Sequence, residues 1–260
     1  MKPPRQSQLR DRFLREDQIV IEGRFAVSRA LESGYQPELI LTTKETLHAL
    51  PPTPSKTVTE ILSRLELSQI SGYDFHRGCL ALGQRPQPTR CLESALDRLN
   101  SNTAESRAHT VVLLERITDP QNLGAILRTA QALGVGQVFL SNECADPWSR
   151  RVIRTSMANV FASPPIISDD LFKVADHLAE AANVTLVAAA LTEQALPIDA
   201  FRPPDTPLAL MLGNEGDGLS RALLDRAHVT VKIPVRDVSD SLNVAVAAGI
   251  LIDRLRTRRD

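Results

Sequence analysis

The chain has 260 residues, 43% of them hydrophobic and 23% charged, which is an ordinary globular composition and excludes a disordered tail or a fibrous repeat. Thirty basic side chains against thirty-one acidic ones give a net charge of −1, so a uniformly basic nucleic-acid coat is excluded. A local basic face is not, because partners respond to charge distribution as well as to the sum.

Residues 1–18 read as a polar extension. Residues 1–30 carry seven basic and four acidic side chains, a mild positive bias, and no apolar stretch of the secretory kind. Residues 19–84 then alternate short elements: a strand at 19–22, a helix at 24–32, a β-rich run at 38–42, a helix at 59–67 and a strand at 79–82. They form a small α/β domain near the lower size limit for independent stability. Residues 85–108 open on prolines and close on a Ser/Asn/Thr run, which reads as a linker, with a short helix at 91–99. From 109 to 260 the pattern strengthens. Strands are expected at 111–117, 137–141, 184–190, 208–212 and 229–235. Helices are expected at 123–133, near 147–158 and at 242–256. Continuous apolar strands alternating with helices indicate an α/β domain with a mostly parallel sheet covered on both faces.

Cys79, Cys91 and Cys144 are scattered, without a C-x-x-C pair, so neither a zinc ribbon nor a redox motif is supported and no metal is expected. The longest apolar stretch, near 242–252, is too short to span a bilayer. The expectation is a soluble cytoplasmic protein.

Three segments carry chemistry. In 115–134, ERITDPQNLGAILRTAQALG, Asp119 and Pro120 suit a helix start, with Asn122 as a second candidate cap. Leu123, Ile126, Leu127, Ala130 and Leu133 then share one helix face, and Arg128 falls almost opposite. In 208–220, LALMLGNEGDGLS, a buried strand runs into a loop with Gly213, Gly216 and Gly218, the place where open α/β sheets bind ligands. The spacing is not that of a dinucleotide fingerprint, and Glu215 and Asp217 would repel a pyrophosphate but suit a neutral or cationic ligand. In 231–253, Ser241 reads as a helix cap, and Asn243 is placed to aim its amide beside the glycine loop. The small residues Ala245, Ala247, Ala248 and Gly249 allow close packing within the chain or across a dimer.

Taken in this order, the three segments resemble the SpoU family of RNA ribose 2′-O-methyltransferases, of the knotted SPOUT class. The match lies on Asn122, Gly124, Arg128, Thr129 and Ala130, then on Gly213, Asn214, Glu215, Gly216, Gly218 and Leu219, then on Ile233, Pro234, Ser241, Leu242, Asn243, Val244 and Ala247. It extends weakly to 20–84, which resembles the family's small RNA-binding domain. Two segments depart from the family pattern. Asp237 and Val238 stand where glycine is usual, and so does Ala158 after Arg154, Thr155 and Ser156.

The resemblance implies a deep trefoil knot in 109–260 and a homodimer through that domain. It implies S-adenosylmethionine held by Leu212, Gly213, Asn214, Glu215, Gly216, Ile233, Pro234, Val235, Ser241, Leu242 and Asn243. It places Arg128, Asn122, Glu215, Ser241 and Asn243 in catalysis. RNA, ribosomal before transfer, is the implied substrate, and Arg24, Arg77, Arg150, Arg151 and Arg154 are candidate contacts. The alternative is an RNA-binding protein that keeps the fold without the activity. A dinucleotide oxidoreductase lacks its fingerprint at the first strand–helix turn, and a serine hydrolase lacks G-x-S-x-G.

Overall fold

The computed structural model describes residues 15–72, 74–87, 110–180, 183–204, 206–235 and 241–255. Most of the expected linker, including its helix at 91–99, and most of the N-terminal extension lie outside the described residues. Two compact units emerge, one of residues 1–87 with 147–162, the other of 88–146 with 163–260.

In the first unit, β1 (Gln18–Glu22), β2 (Leu39–Thr42), β3 (Val58–Ile61) and β4 (Cys79–Gln84) form a sheet in the order β1-β4-β2-β3. β4 runs antiparallel to both neighbours, and β2 and β3 are parallel. One face packs Val20, Leu41, Leu80 and Leu82 against Leu67, Ile70 and Phe75. Helix α1 (Arg24–Glu32) packs against β1 and β4, burying Ala26, Val27 and Ala30. A short turn of helix, α2 (Lys44–Leu47), follows β2.

The helix expected at 59–67 is two elements. β3 occupies its first residues, and α3 (Arg64–Ser71) starts at Ser63. Ser63 Oγ accepts from Glu66 N while the Glu66 carboxylate accepts from Ser63 N, a capping box that fixes the boundary. The apolar spacing of Ile61, Leu62 and Leu65 imitated one helix across that boundary.

Residues 147–162, which the sequence pattern groups with the later domain, belong to the first unit. The expected single helix is broken into α5 (Arg150–Thr155) and α6 (Asn159–Ala162) at Met157 and Ala158, both at positive φ (53° and 60°). Ala158 is fully buried, so its methyl holds a conformation that costs about 1–2 kcal/mol for an L-residue and that glycine adopts freely. Phe161 stacks on Trp148 and Tyr35, Arg29 donates to Met157 O at 2.7 Å, and Arg150 ion-pairs with the buried Glu22.

In the second unit, β5 (Thr110–Leu114), β6 (Gln137–Ser141), β7 (Ile166–Ser168), β8 (Thr185–Ala189), β9 (Leu196–Pro197), β10 (Leu208–Leu212) and β11 (Val229–Lys232) form a sheet ordered β7-β6-β5-β10-β8-β11-β9, with every pair parallel. β5, β6 and β10 are buried along their whole length, as a parallel sheet covered on both faces requires. Val111, Leu113, Ala209 and Met211 face α7 (Leu171–Glu180), an amphipathic helix absent from the elements expected above. Alternation sends Val112, Leu114, Leu210 and Leu212 to the other side. There α4 (Pro120–Ala132) and α9 (Val244–Leu255) pack on one another, and α9 lies on β10. A short helix, α8 (Arg221–Leu224), follows the glycine loop.

Burial pushes the Cys79 thiol up to about 12 and raises that of Cys144 as well. Both are small packing groups held as thiols, and Cys144 accepts from Ile117 N and donates to Leu114 O.

Candidate functional site

The strand order sets β10, β8 and β11 side by side, so the loops at their carboxyl ends share one edge of the sheet, where such folds bind ligands. Between these loops lies a cavity of about 530 Å³. Of the predicted cofactor residues, Leu212, Gly213, Asn214, Glu215, Gly216, Ile233, Val235, Ser241 and Leu242 line it, and Pro234 and Asn243 do not. The loop after β8, Ala190, Leu191 and Thr192, supplies a wall that sequence reasoning missed. No motif marks that loop, and only the pairing of β8 between β10 and β11 brings it there.

The glycine loop is closed on itself. Asn214 and Gly218 form an antiparallel bridge, with Gly218 N donating to Asn214 O at 2.9 Å. Asn214 Oδ1 accepts from Gly216 N at 2.6 Å, and its Nδ2 donates to Arg116 O at 3.0 Å. Glu115, buried at the end of β5, accepts from Ser220 N at 2.7 Å and anchors the far end of the loop.

Arg116 is the residue that sequence reasoning missed. It sits at φ 54°, with its N–H donating to Ser141 Oγ at 3.0 Å. Its guanidinium lies behind the loop, donating to Gly218 O at 3.4 Å and standing 3.6 Å from the Asp217 carboxylate. Asp217, which also lines the cavity, thus has a cation beside it. Glu215 lines the cavity with no ion pair among the described residues.

Glu215 accepts from Asn122 Nδ2, and Asn122 Oδ1 accepts from Asn243 Nδ2 at 2.9 Å. The three motifs therefore meet in one hydrogen-bonded chain, Glu215–Asn122–Asn243. Asn122 is not a helix cap. Asp119 caps α4, accepting from Gln121 N with Pro120 in the first turn. The cap of α9 is Asn243 and not Ser241, because the helix starts at Val244 and Asn243 Oδ1 accepts from Ala245 N at 2.9 Å and Val246 N at 3.3 Å. One carboxamide thus fixes the helix start and reaches Asn122.

Arg128 is exposed on α4 between the buried Leu127 and the half-buried Thr129, and no hydrogen bond or ion pair joins it to that chain among the described residues. Arg24, Arg77, Arg151 and Arg154 are exposed in the first unit, and Arg150 is committed to Glu22. Asp237 and Val238 lie outside the described residues. Among those described, no cluster of His, Cys, Asp and Glu is placed to hold a metal ion, and no helix is long and apolar enough to cross a membrane.

The donor set fits S-adenosylmethionine. Leu212, Val231, Ile233, Leu242 and Leu251 offer apolar walls for a flat ring, three strand ends offer backbone groups, and Glu215 offers a negative charge toward a sulfonium. Lys232, the basic side chain on the lining among the described residues, donates to Thr192 O at 3.2 Å and so ties two walls together.

A family model described as the SpoU rRNA Methylase family matches residues 109–253. The 23S rRNA (guanosine(2553)-2′-O)-methyltransferase RlmP of Bacillus subtilis is 36% identical over 149 residues, 57% of this chain and 58% of that protein. The 23S rRNA (guanosine-2′-O-)-methyltransferase RlmB of Acinetobacter baylyi is 32% identical over 193 residues, covering 73% of this chain and 74% of that one. The crystal structure of an AdoMet-bound rRNA methyltransferase from Sinorhizobium meliloti superposes with a TM-score of 0.77 at 27% identity, over 98% of this chain and 95% of that one. The matched residues hold all three members of the hydrogen-bonded chain and the glycine loop beside the cavity, and the chain belongs to the SpoU rRNA methylase family.

Proposed function

We propose that this chain transfers a methyl group from S-adenosylmethionine to a ribose 2′-hydroxyl of structured RNA, ribosomal RNA in preference to transfer RNA. The observation that carries the reading is the Glu215–Asn122–Asn243 chain beside an apolar, carboxylate-bearing cavity. When bound, S-adenosylmethionine supplies an electrophilic methyl group on a sulfonium. The residues of the chain do the rest. The 212–216 loop, the 233–235 strand end and residues 241–242 hold the cofactor, and Glu215, Asn122 and Asn243 form a fixed lattice that orients the ribose. Ser241, on the cavity wall, helps to seat the nucleotide. Arg128 meets the 2′-oxygen and stabilises negative charge as it develops there. A guanidinium is normally not deprotonated, so stabilisation is the role given to it, and the hydroxyl proton passes to solvent water as the oxygen–carbon bond forms. Aligning the reacting atoms supplies up to ~7–11 kcal/mol in favourable cases.

The reading includes a trefoil knot in residues 109–260, supported by family membership. It includes a small RNA-binding domain at 19–84, phosphate contacts from its Arg24 and Arg77 and from Arg151 and Arg154 of the 147–162 segment, and a cytoplasmic location. Calorimetry with S-adenosylmethionine and with its demethylated product is expected to show specific binding of both. Binding of NAD with neither of these would overturn the reading. Mapping 2′-O-methyl sites in total RNA from cells with and without the protein then identifies the substrate, and identical maps would leave only RNA binding.

The reading also includes a homodimer through α9. Gly249 brings that helix against Thr129 of α4 within the chain, while Val246 and Ile250, one turn apart, remain exposed for a second copy. Light scattering at micromolar concentration is expected to give twice the 28.5 kDa chain mass, and the chain mass alone would count against it.

A further inference from the structure

We propose that Phe25, with Arg24 on its ring and Arg77 at the same turn, is a stacking platform for an unpaired nucleotide of the RNA. The identity of the ligand rests on the function proposed above, and the site itself rests on the geometry of the first unit.

β1 ends at Glu22, which is buried, and Gly23 turns the chain into α1 at φ 91°. That turn sends Ala26 and Val27 into the core and leaves the two preceding side chains outside. Phe25 is 64% exposed, and it is the one exposed aromatic ring among the described residues. The other described aromatic residues of the first unit, Phe75, Trp148, Phe161 and Tyr35, are buried or half-buried. A lone apolar side chain on a surface is ordinary. What sets this ring apart is its neighbours.

The guanidinium carbon of Arg24 stands 4.4 Å from the ring centroid, a cation–π contact that holds the ring from one side. Arg77 crosses the same turn. Its side-chain stem fills the space that Gly23 leaves, since a Cβ at Gly23 would lie 3.4 Å from Arg77 Cδ and 3.5 Å from its Cβ. Both arginines are exposed, and neither guanidinium has a hydrogen bond or ion pair among the described residues. Nearby acids do not compete for them: Glu22 is ion-paired with Arg150, and Asp74 stands 3.1 Å from His76.

One guanidinium on a face of an exposed ring, and a second exposed arginine at the same turn, suit one ligand class. The arginines take phosphate oxygens, and the free side of the ring takes a base. In a duplex the base faces are covered by their neighbours, so the ring selects a nucleotide that is unstacked, as in a loop, bulge or end.

The test uses the full chain with a mixed-sequence single-stranded RNA decamer and the same sequence as a duplex, followed by fluorescence anisotropy. Phe25→Ala is expected to weaken single-strand binding roughly 5- to 150-fold, the range for removing one base–aromatic stack, with duplex binding, thermal midpoint and cofactor affinity unchanged. Phe25→Trp is expected to keep the affinity, and its introduced indole to be quenched on binding; the native Trp148 is buried and gives a constant background. Arg24→Gln with Arg77→Gln is expected to lower the salt slope by about 1.4, roughly 0.7 for each arginine that no longer meets a single-strand phosphate. The proposal is overturned if the wild-type chain does not bind the single strand, if Phe25→Ala binds it within twofold of wild type, or if the introduced indole is unmoved by bound RNA. A protein partner would give that last pattern. Loss of methylation with these results intact would overturn the catalytic reading alone, and methylation with an unchanged KM in Phe25→Ala would overturn the platform alone.

Discussion

Arg128→Ala is expected to lower methyl transfer by about two to three orders of magnitude, the usual loss when one donor to a developing oxyanion is removed. The fold is expected to tolerate it. Arg128 is exposed on α4 and joined to no described residue, so truncation strands no buried partner and stability should stay within about ±0.5 kcal/mol. Leu127→Ala, one position earlier and 4% exposed, is the contrast and should cost ~2–5 kcal/mol. Cofactor affinity in Arg128→Ala should barely change, because the arginine is given to the ribose and not to the sulfonium. Arg128→Lys should rescue poorly, since an ammonium does not reproduce the planar fork. Single-turnover methylation of the mapped RNA, with thermal unfolding and cofactor titration alongside, checks each part. Normal turnover in a stable, cofactor-binding Arg128→Ala protein would remove Arg128 from the mechanism.

The contrast between those two neighbours was legible because a helix has a period. Leu123, Ile126, Leu127 and Ala130 recur at that spacing, and all four are buried in the structure. Apolar strand runs were legible for a similar reason, and Leu208–Leu212 is buried throughout. What periodicity does not carry is the choice of core. Val152, Ile153 and Phe161 look as apolar as any residue of the second sheet, yet they belong to the first unit, held there by pairs such as Arg150 with Glu22 that lie far apart in the chain.

At the site, residue types showed where polar groups gather, but not how they join. Asn122 and Ser241 each resembled a helix cap, a local role that short polar side chains fill easily. The structure gives the caps to Asp119 and Asn243 and leaves Asn122 to bridge Glu215 and Asn243. Arg116 had no sequence signal at all, because one arginine after a strand has many uses. Its task follows from a positive φ and from a loop about a hundred residues away in the chain.

Gly213→Ala is expected to lower S-adenosylmethionine affinity roughly 5- to 150-fold, the equivalent of the ~1–3 kcal/mol that an overpacked loop costs to close. A Cβ at Gly213 would meet Gly218 C and O at 2.2 Å and Leu219 N at 2.3 Å. These are backbone atoms, and no rotamer change moves them aside. The loop would have to open, and its closure depends on the Asn214–Gly218 bridge, the Asn214 side chain and the Arg116 guanidinium acting together. Opening it shifts Glu215 away from Asn122 and distorts the wall of the cavity. The folded chain should lose about 1–3 kcal/mol, the range for forcing atoms into a packed space, while the apolar sheet beneath keeps the domain folded. Gly249→Ala makes the matched control. Its Cβ would stand 3.5 Å from Thr129 Cγ2, an ordinary contact, and alanine in a helix is favoured over glycine by roughly 0.5–1 kcal/mol. That variant should be slightly more stable and bind the cofactor normally. Calorimetric titration of both variants decides the matter: wild-type affinity in Gly213→Ala would mean that the closed glycine loop is not part of the cofactor site.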